Sequence, residues 1–270
     1  MKETVKSKIA PLVRSQLSPD GKLLDLENKE IGPEELQSMT GMMELSTVQQ
    51  LYLSHNFLAG EAIGILAQSN AFPKLNSLYL NHNNLGDEEA GLLAQSPMMK
   101  NLKCLMLEAN NIGPRGAETL ASSPNVGTLE ILFLDSNPIG PEGAKAIGQS
   151  DRLPGLRALH LDSTGLGDEG SVALANSVNL TPLNKLYLCS NAIGNKGAIA
   201  LANSPYLKNL TVLSLWRNEI RDQGGQAIAD SKTFANLERL YMSLNLIERP
   251  VRKLIRQSDL AKKLKTLVMD

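Results

Sequence analysis

The chain has 270 residues, 42% hydrophobic and 20% charged, a globular composition that excludes disordered and fibrous classes. Lys plus Arg is 27 against 28 Asp plus Glu, so a formal net charge of -1 gives no global field for nucleic acid or an anionic membrane. No apolar run approaches the roughly 20 residues that span a bilayer; two Cys, and no cationic, apolar leader at Met1 to Lys6, predict a cytoplasmic protein, or one delivered to a host cell by a leaderless route.

Residues 1–20 carry Val5, Ile9, Leu12 and Val13 at helical spacing, which predicts an amphipathic capping helix over whatever follows. From residue 21 one frame returns every 27 residues without an insertion: Leu-x-x-Leu-x-Leu-x-x-Asn-x-Leu/Ile. Lys29, with Leu24, Leu26 and Ile31, marks a degenerate first copy. Asn56, Asn83, Asn110 and Asn137 follow, then Thr164, then Asn191, Asn218 and Asn245. The Asn amide is expected to bond the backbone of neighbouring units, and the shorter Thr164 to weaken its rung.

The second half of each unit reads Gly-x-x-Gly-Ala-x-x-Leu-Ala-x-Ser, as at Gly113, Gly116, Ala117, Leu120, Ala121 and Ser123. The apolar period switches there from strand to helix. Asp87, Asp168 and Asp222, or Pro33, Pro114 and Pro141, suit the first turn or N-cap of that helix, and Gly and Ala on its inner face should let it lie close to the strands. A Ser at 69, 96, 123, 150, 177, 204, 231 and 258 is expected to satisfy backbone where each helix ends. Nine units occupy 21–247, the last running into a basic C-terminal cap helix and terminal strand at 248–270, with Arg249, Arg252, Lys253, Arg256, Lys262, Lys263 and Lys265.

These residues resemble leucine-rich repeats of the ribonuclease-inhibitor-like subfamily, in a form most similar to bacterial members. The resemblance implies an α/β solenoid, a horseshoe with a concave parallel β-sheet and convex α-helices. Packing distances imply the same curvature, because strands sit about 4.8 Å apart and helices about 8–10 Å. It also implies a non-enzymatic protein-binding module, in a regulatory scaffold or a bacterial effector. The alternative is a GTPase-activating role, since a Ran-activating protein shares the subfamily fold, although the acidic tail of such proteins is not seen here.

Strand alternation places the residue between the second and third leucines on the inner face. That column reads Asp25, Tyr52, Tyr79, Met106, Phe133, His160, Tyr187, Ser214, Tyr241 and Val268; two residues on, it reads Glu27, Ser54, Asn81, Glu108, Asp135, Asp162, Cys189, Trp216, Ser243 and Asp270. Six of the ten aromatic residues lie in these two columns, a concentration that points to rigid anchors for a protein partner. Glu108, Asp135 and Asp162 form an acidic stripe expected to meet Lys or Arg of that partner. Its apolar rim would lie towards Tyr52 and Tyr79 on one side and Tyr187, Trp216 and Tyr241 on the other. The terminal strand leaves an edge that predicts a monomer or an edge-strand dimer.

Nothing in the pattern calls for a cofactor or a catalytic centre. His55 and His82 share a column but lack a clear third metal ligand. His160 lies near Asp135 and Asp162 with no nucleophile beside it. Cys104 and Cys189 are three units apart, too far for a disulfide.

Overall fold

A computed structural model describes the backbone of residues 2–270 and side chains from Lys8 onward, so Val5 of the expected capping helix lies outside the described side chains. Helix α1 (Lys2–Gln16) puts Ile9 and Val13 into the core, and Leu17 then bridges Leu24 of the first strand in antiparallel fashion. Strands and helices alternate from there: β1 (Leu23–Asp25), α2 (Pro33–Met39), β2 (Gln50–Tyr52), α3 (Glu61–Gln68), β3 (Ser77–Tyr79), α4 (Asp87–Gln95), β4 (Cys104–Met106), α5 (Pro114–Ser122), β5 (Ile131–Phe133), α6 (Gly140–Gln149), β6 (Ala158–His160) and α7 (Gly167–Ala175). The series ends with β7 (Lys185–Tyr187), α8 (Asn195–Ala202), β8 (Val212–Ser214), α9 (Asp222–Ala229), β9 (Arg239–Tyr241), α10 (Arg249–Gln257), α11 (Asp259–Lys263) and β10 (Thr266–Val268).

Among the described residues, ten strands form one parallel sheet in sequence order, each in register with the next, so Leu78 pairs Leu105 and Leu105 pairs Leu132. The fold is therefore an α/β leucine-rich repeat solenoid. Each strand turns its central Leu into a continuous aliphatic core that the helix layer covers from the other side. A strand of three residues cannot bury enough surface to hold itself. The frame leucines on either side of it, such as Leu102 and Leu107, are fully buried as well.

The Asn column forms the expected ladder. Asn83 Oδ1 accepts the Asn56 and Leu58 N–H groups at 3.0 and 3.1 Å, and its Nδ2 donates to Leu53 O at 2.9 Å. Thr164 breaks it in a specific way. Its hydroxyl is 3.0 Å from Asn191 Oδ1 and 2.8 Å from Leu161 O, and it does not reach back to the unit before. Ile139 N–H turns instead to Asn137 O at 2.8 Å, and Gly140 takes φ 65°, a conformation that suits glycine. Helix α6 begins at Gly140, one repeat position earlier than α5 at Pro114, and α7 begins at the equivalent Gly167 beside the Asn191 rung.

From Ser96 to Ser231 the hydroxyls of the helix-end column donate to a carbonyl of the preceding unit, as Ser96 Oγ does to Ala67 O at 2.6 Å, whereas Ser69 and Ser258 accept an N–H of their own unit. Asp87, Asp168 and Asp222 stand in the first turn of their own helices, one of the two places expected, while the N-cap residues there are Gly86, Leu166 and Arg221. Asp87 Oδ1 accepts the Gly113 and Gly116 N–H groups of the next unit at 2.7 and 2.8 Å, and Asp168 does the same for Gly194 and Gly197. The glycine of the helix motif makes room both for the neighbouring unit and for the frame Ile or Leu of its own unit, which a Cβ on Gly143 would meet 2.6 Å away at Ile139 Cγ2. A Cβ on Gly116 would sit 2.6 Å from Asp87 Oδ1.

Candidate functional site

The strand face is built by alternation. In β1 to β9 the central Leu is buried, and in β10 it is half-buried, while the residue after it faces outward, and most of that column is half-buried. Register brings the rings of adjacent strands face to face. Tyr52 stacks on Tyr79 with centroids 3.9 Å apart and planes 8° from parallel. Phe133 stacks on His160 at 3.6 Å, and His160 on Tyr187 at 4.0 Å. Met106 lies between the two stacks, and the small, buried Ser214 separates Tyr187 from Tyr241. Trp216, in the next column, is 38% exposed. The rings thus cover part of one another and leave their outer surface to solvent.

Glu108, Asp135 and Asp162 flank this row. Like charges this close were expected to need a cation, but the fold itself supplies part of the compensation. Asp135 Oδ1 accepts the Asp162 N–H, and Asp162 Oδ1 accepts the Cys189 N–H, each at 2.6 Å. Asn81 plays the same part for Glu108 N–H at 2.9 Å. Burial nonetheless pushes the Asp135 carboxyl up to about 7 and raises that of Asp162 too. Asp135 Oδ2 stands 3.8 Å from His160 Nδ1. Burial, with Lys185 as a lesser cause, pushes the His160 imidazole down to about 4. At pH 7 the imidazole is therefore neutral, and at 3.8 Å it makes neither an ion pair nor a hydrogen bond with the Asp135 carboxyl.

Cys104 and Cys189 are free thiols, each raised to about 11 by burial, which removes the thiolate that a nucleophile requires. Cys189 Sγ lies 2.9 Å from Ser214 Oγ. His55 and His82 stack at 4.3 Å, with His55 Nε2 3.8 Å from Glu27 Oε1. Among the described residues, no group of three or more His, Cys, Asp or Glu side chains is arranged to hold a metal ion.

A third column on this face escaped the sequence reading. The first residue of each strand points the same way as the third, so Cys104, Ile131, Ala158, Lys185, Val212 and Arg239 also line it. Alternation counted backwards from the second leucine would have found them. Cys104, Ala158 and Val212 are buried beside the rings, whereas Lys185 and Arg239 are exposed.

Comparison with known proteins bears on this arrangement. A family model described as Leucine Rich repeat matches residues 73–94, 99–121, 128–148, 154–175, 179–202 and 206–229, together half of the chain. No curated protein sequence matches. Among solved structures, a chain in the octameric complex of Latrophilin 3 (Lec, Olf), Unc5D (Ig, Ig2, TSP1) and FLRT2 (LRR) is similar at 21% identity and TM-score 0.52, over 93% of this chain and 76% of that one. A chain in the yeast Rad7 and Elc1 complex is similar at 14% identity and TM-score 0.49, over 98% of this chain and 82% of that one. The likeness is one of fold.

Proposed function

The chain belongs to the leucine-rich repeat family, and from that premise we propose that it is a non-enzymatic protein-interaction module holding a partner with a basic patch against its aromatic and acidic strand face. One observation carries the reading: a row of stacked, half-exposed rings stands on a sheet face that, among the described residues, no helix covers. Rings needed only for stability belong under the helix layer, where the aliphatic core already fills the space. Rigid amphipathic rings with a wet edge suit an interface, because they give large contact area at small entropic cost.

The 27-residue strand-and-helix unit supports a ribonuclease-inhibitor-like relationship of bacterial type, and with it a role as a regulatory scaffold or effector. The module acts as a monomer or as a dimer through the β10 edge. Replacing Tyr79, Phe133, Tyr187 and Trp216 by Ala tests the reading by affinity capture. A dominant anchor of this kind contributes about 2 kcal/mol or more, so the variant should lose the captured protein while its circular dichroism stays unchanged. An undiminished catch would move the site off this face.

A further inference from the structure

The column missed in the sequence changes what the face asks of its partner. On β4 to β6 the flank beyond the rings is acidic, with Glu108, Asp135 and Asp162, while the opposite flank is apolar. On β7 to β9 the arrangement reverses: the acidic positions become Cys189, Trp216 and Ser243, and the opposite flank carries Lys185 and Arg239. Just outside the face, charges neutralise one another, Lys103 with Glu130 at 2.9 Å and Lys265 with Glu238 at 2.8 Å. Among the described residues, Lys185 and Arg239 have no such carboxylate. Nor do they reach the acids, since four residues of strand separate the flanks by about 13 Å, beyond the roughly 8 Å over which salt leaves exposed charges coupled.

Resting on the protein-binding reading above, we propose that the occupant is a linear, bipolar segment of a protein: a cationic end over Glu108, Asp135 and Asp162, and an anionic end over Lys185 and Arg239. Its diagonal path crosses the ring row between His160 and Tyr187. A uniformly basic segment would meet repulsion from the two cations, so the reversal fixes direction as well as affinity. Three strand spacings across and four residues along place the charge centres about 19 Å apart, which an extended chain covers in about six residues.

A phage-displayed library of random linear 12-residue peptides, panned on the full chain at physiological salt, tests this. Enriched peptides should carry Lys or Arg and, about six residues away, Asp or Glu, with an aromatic or aliphatic residue between. Against the double variant Lys185→Glu with Arg239→Glu, those peptides should bind about tenfold weaker or worse, and repeated selection should return Lys or Arg at both ends. Both side chains are exposed, so circular dichroism should be unchanged; Lys185→Gln with Arg239→Gln serves if it is not, with weaker binding expected again. Enriched peptides of one charge sign, equal binding to the double variant, or no enrichment at all would overturn the bipolar segment. Peptides that bind the four-alanine variant as well as the wild type would instead overturn the strand face as the binding surface.

Discussion

Asp135 holds a backbone N–H with one oxygen and faces an imidazole with the other, and both its position and its titration follow from burial. Its carboxyl is raised from 3.8 to about 7, so between those values the folded chain binds more protons there than the unfolded chain, and stability falls as pH rises through about 7. His160 runs oppositely: lowered from 6.5 to about 4, it favours the unfolded state in that window, and stability rises as pH rises through it. Asp135→Asn keeps the acceptor for Asp162 N–H without the titrating proton. The variant should melt about 2–4 °C higher at pH 8 and nearly unchanged at pH 4.5, as read by calorimetry; an equal gain at both pH values would show that titration is not the cause. The ladder gives a second residue-level test. Asn191→Ala orphans Thr164 N–H and Leu166 N–H in the core, at about 1–3 kcal/mol each, while Leu161 O keeps the Thr164 hydroxyl. Thr164→Ala removes one hydroxyl from a rung already rewound, so urea unfolding should show the Asn191 variant as much the weaker of the two.

At the level of elements, side chains of one unit finish the helix of another. Asp87→Ala should loosen the start of α5 and not of α4, at a cost of about 1–2 kcal/mol. Amide exchange read helix by helix decides it: faster exchange confined to α4 would restore the simpler view in which an acidic first turn serves its own helix. That view came naturally from the sequence, because Asp87 opens its own helix while its real partners are 26 and 29 residues away. The strand-to-helix switch, the Asn rungs and the outward ring column were legible because each depends on a period that recurs in every unit. Cross-unit caps and the turn at Gly140 were not, since they depend on how far one unit sits from the next. The stacking of His160 between Phe133 and Tyr187 needed the register as well as the column.

For the whole molecule, regularity implies that a unit can be removed in register. Deleting residues 140–166 joins Ile139 to Gly167, whose φ of 58° matches the 65° of the Gly140 it replaces. Asn137 then meets the Asn191 rung without the Thr164 interruption. The shortened chain should unfold in one cooperative transition and retain its helical circular dichroism, yet lose partner capture along with His160 and Asp162. Collapse into a partly folded state would mean that this unit holds the two halves together.

The Asn and Ser side chains share one sense of direction. Asn83 serves Asn56, Leu58 and Leu53, and Ser96 serves Ala67, in each case the unit before. Loss of a unit from the N-terminal side strands those amides and hydroxyls, which can swing to water, but also the helix N–H groups that an Asp of the lost unit capped, as Asp87 caps Gly113 and Gly116. Loss from the C-terminal side strands backbone donors and acceptors locked inside a turn. Ladder and helix caps thereby point in opposite directions, so each seam between units is clasped from both sides and fraying at either end leaves backbone groups bare.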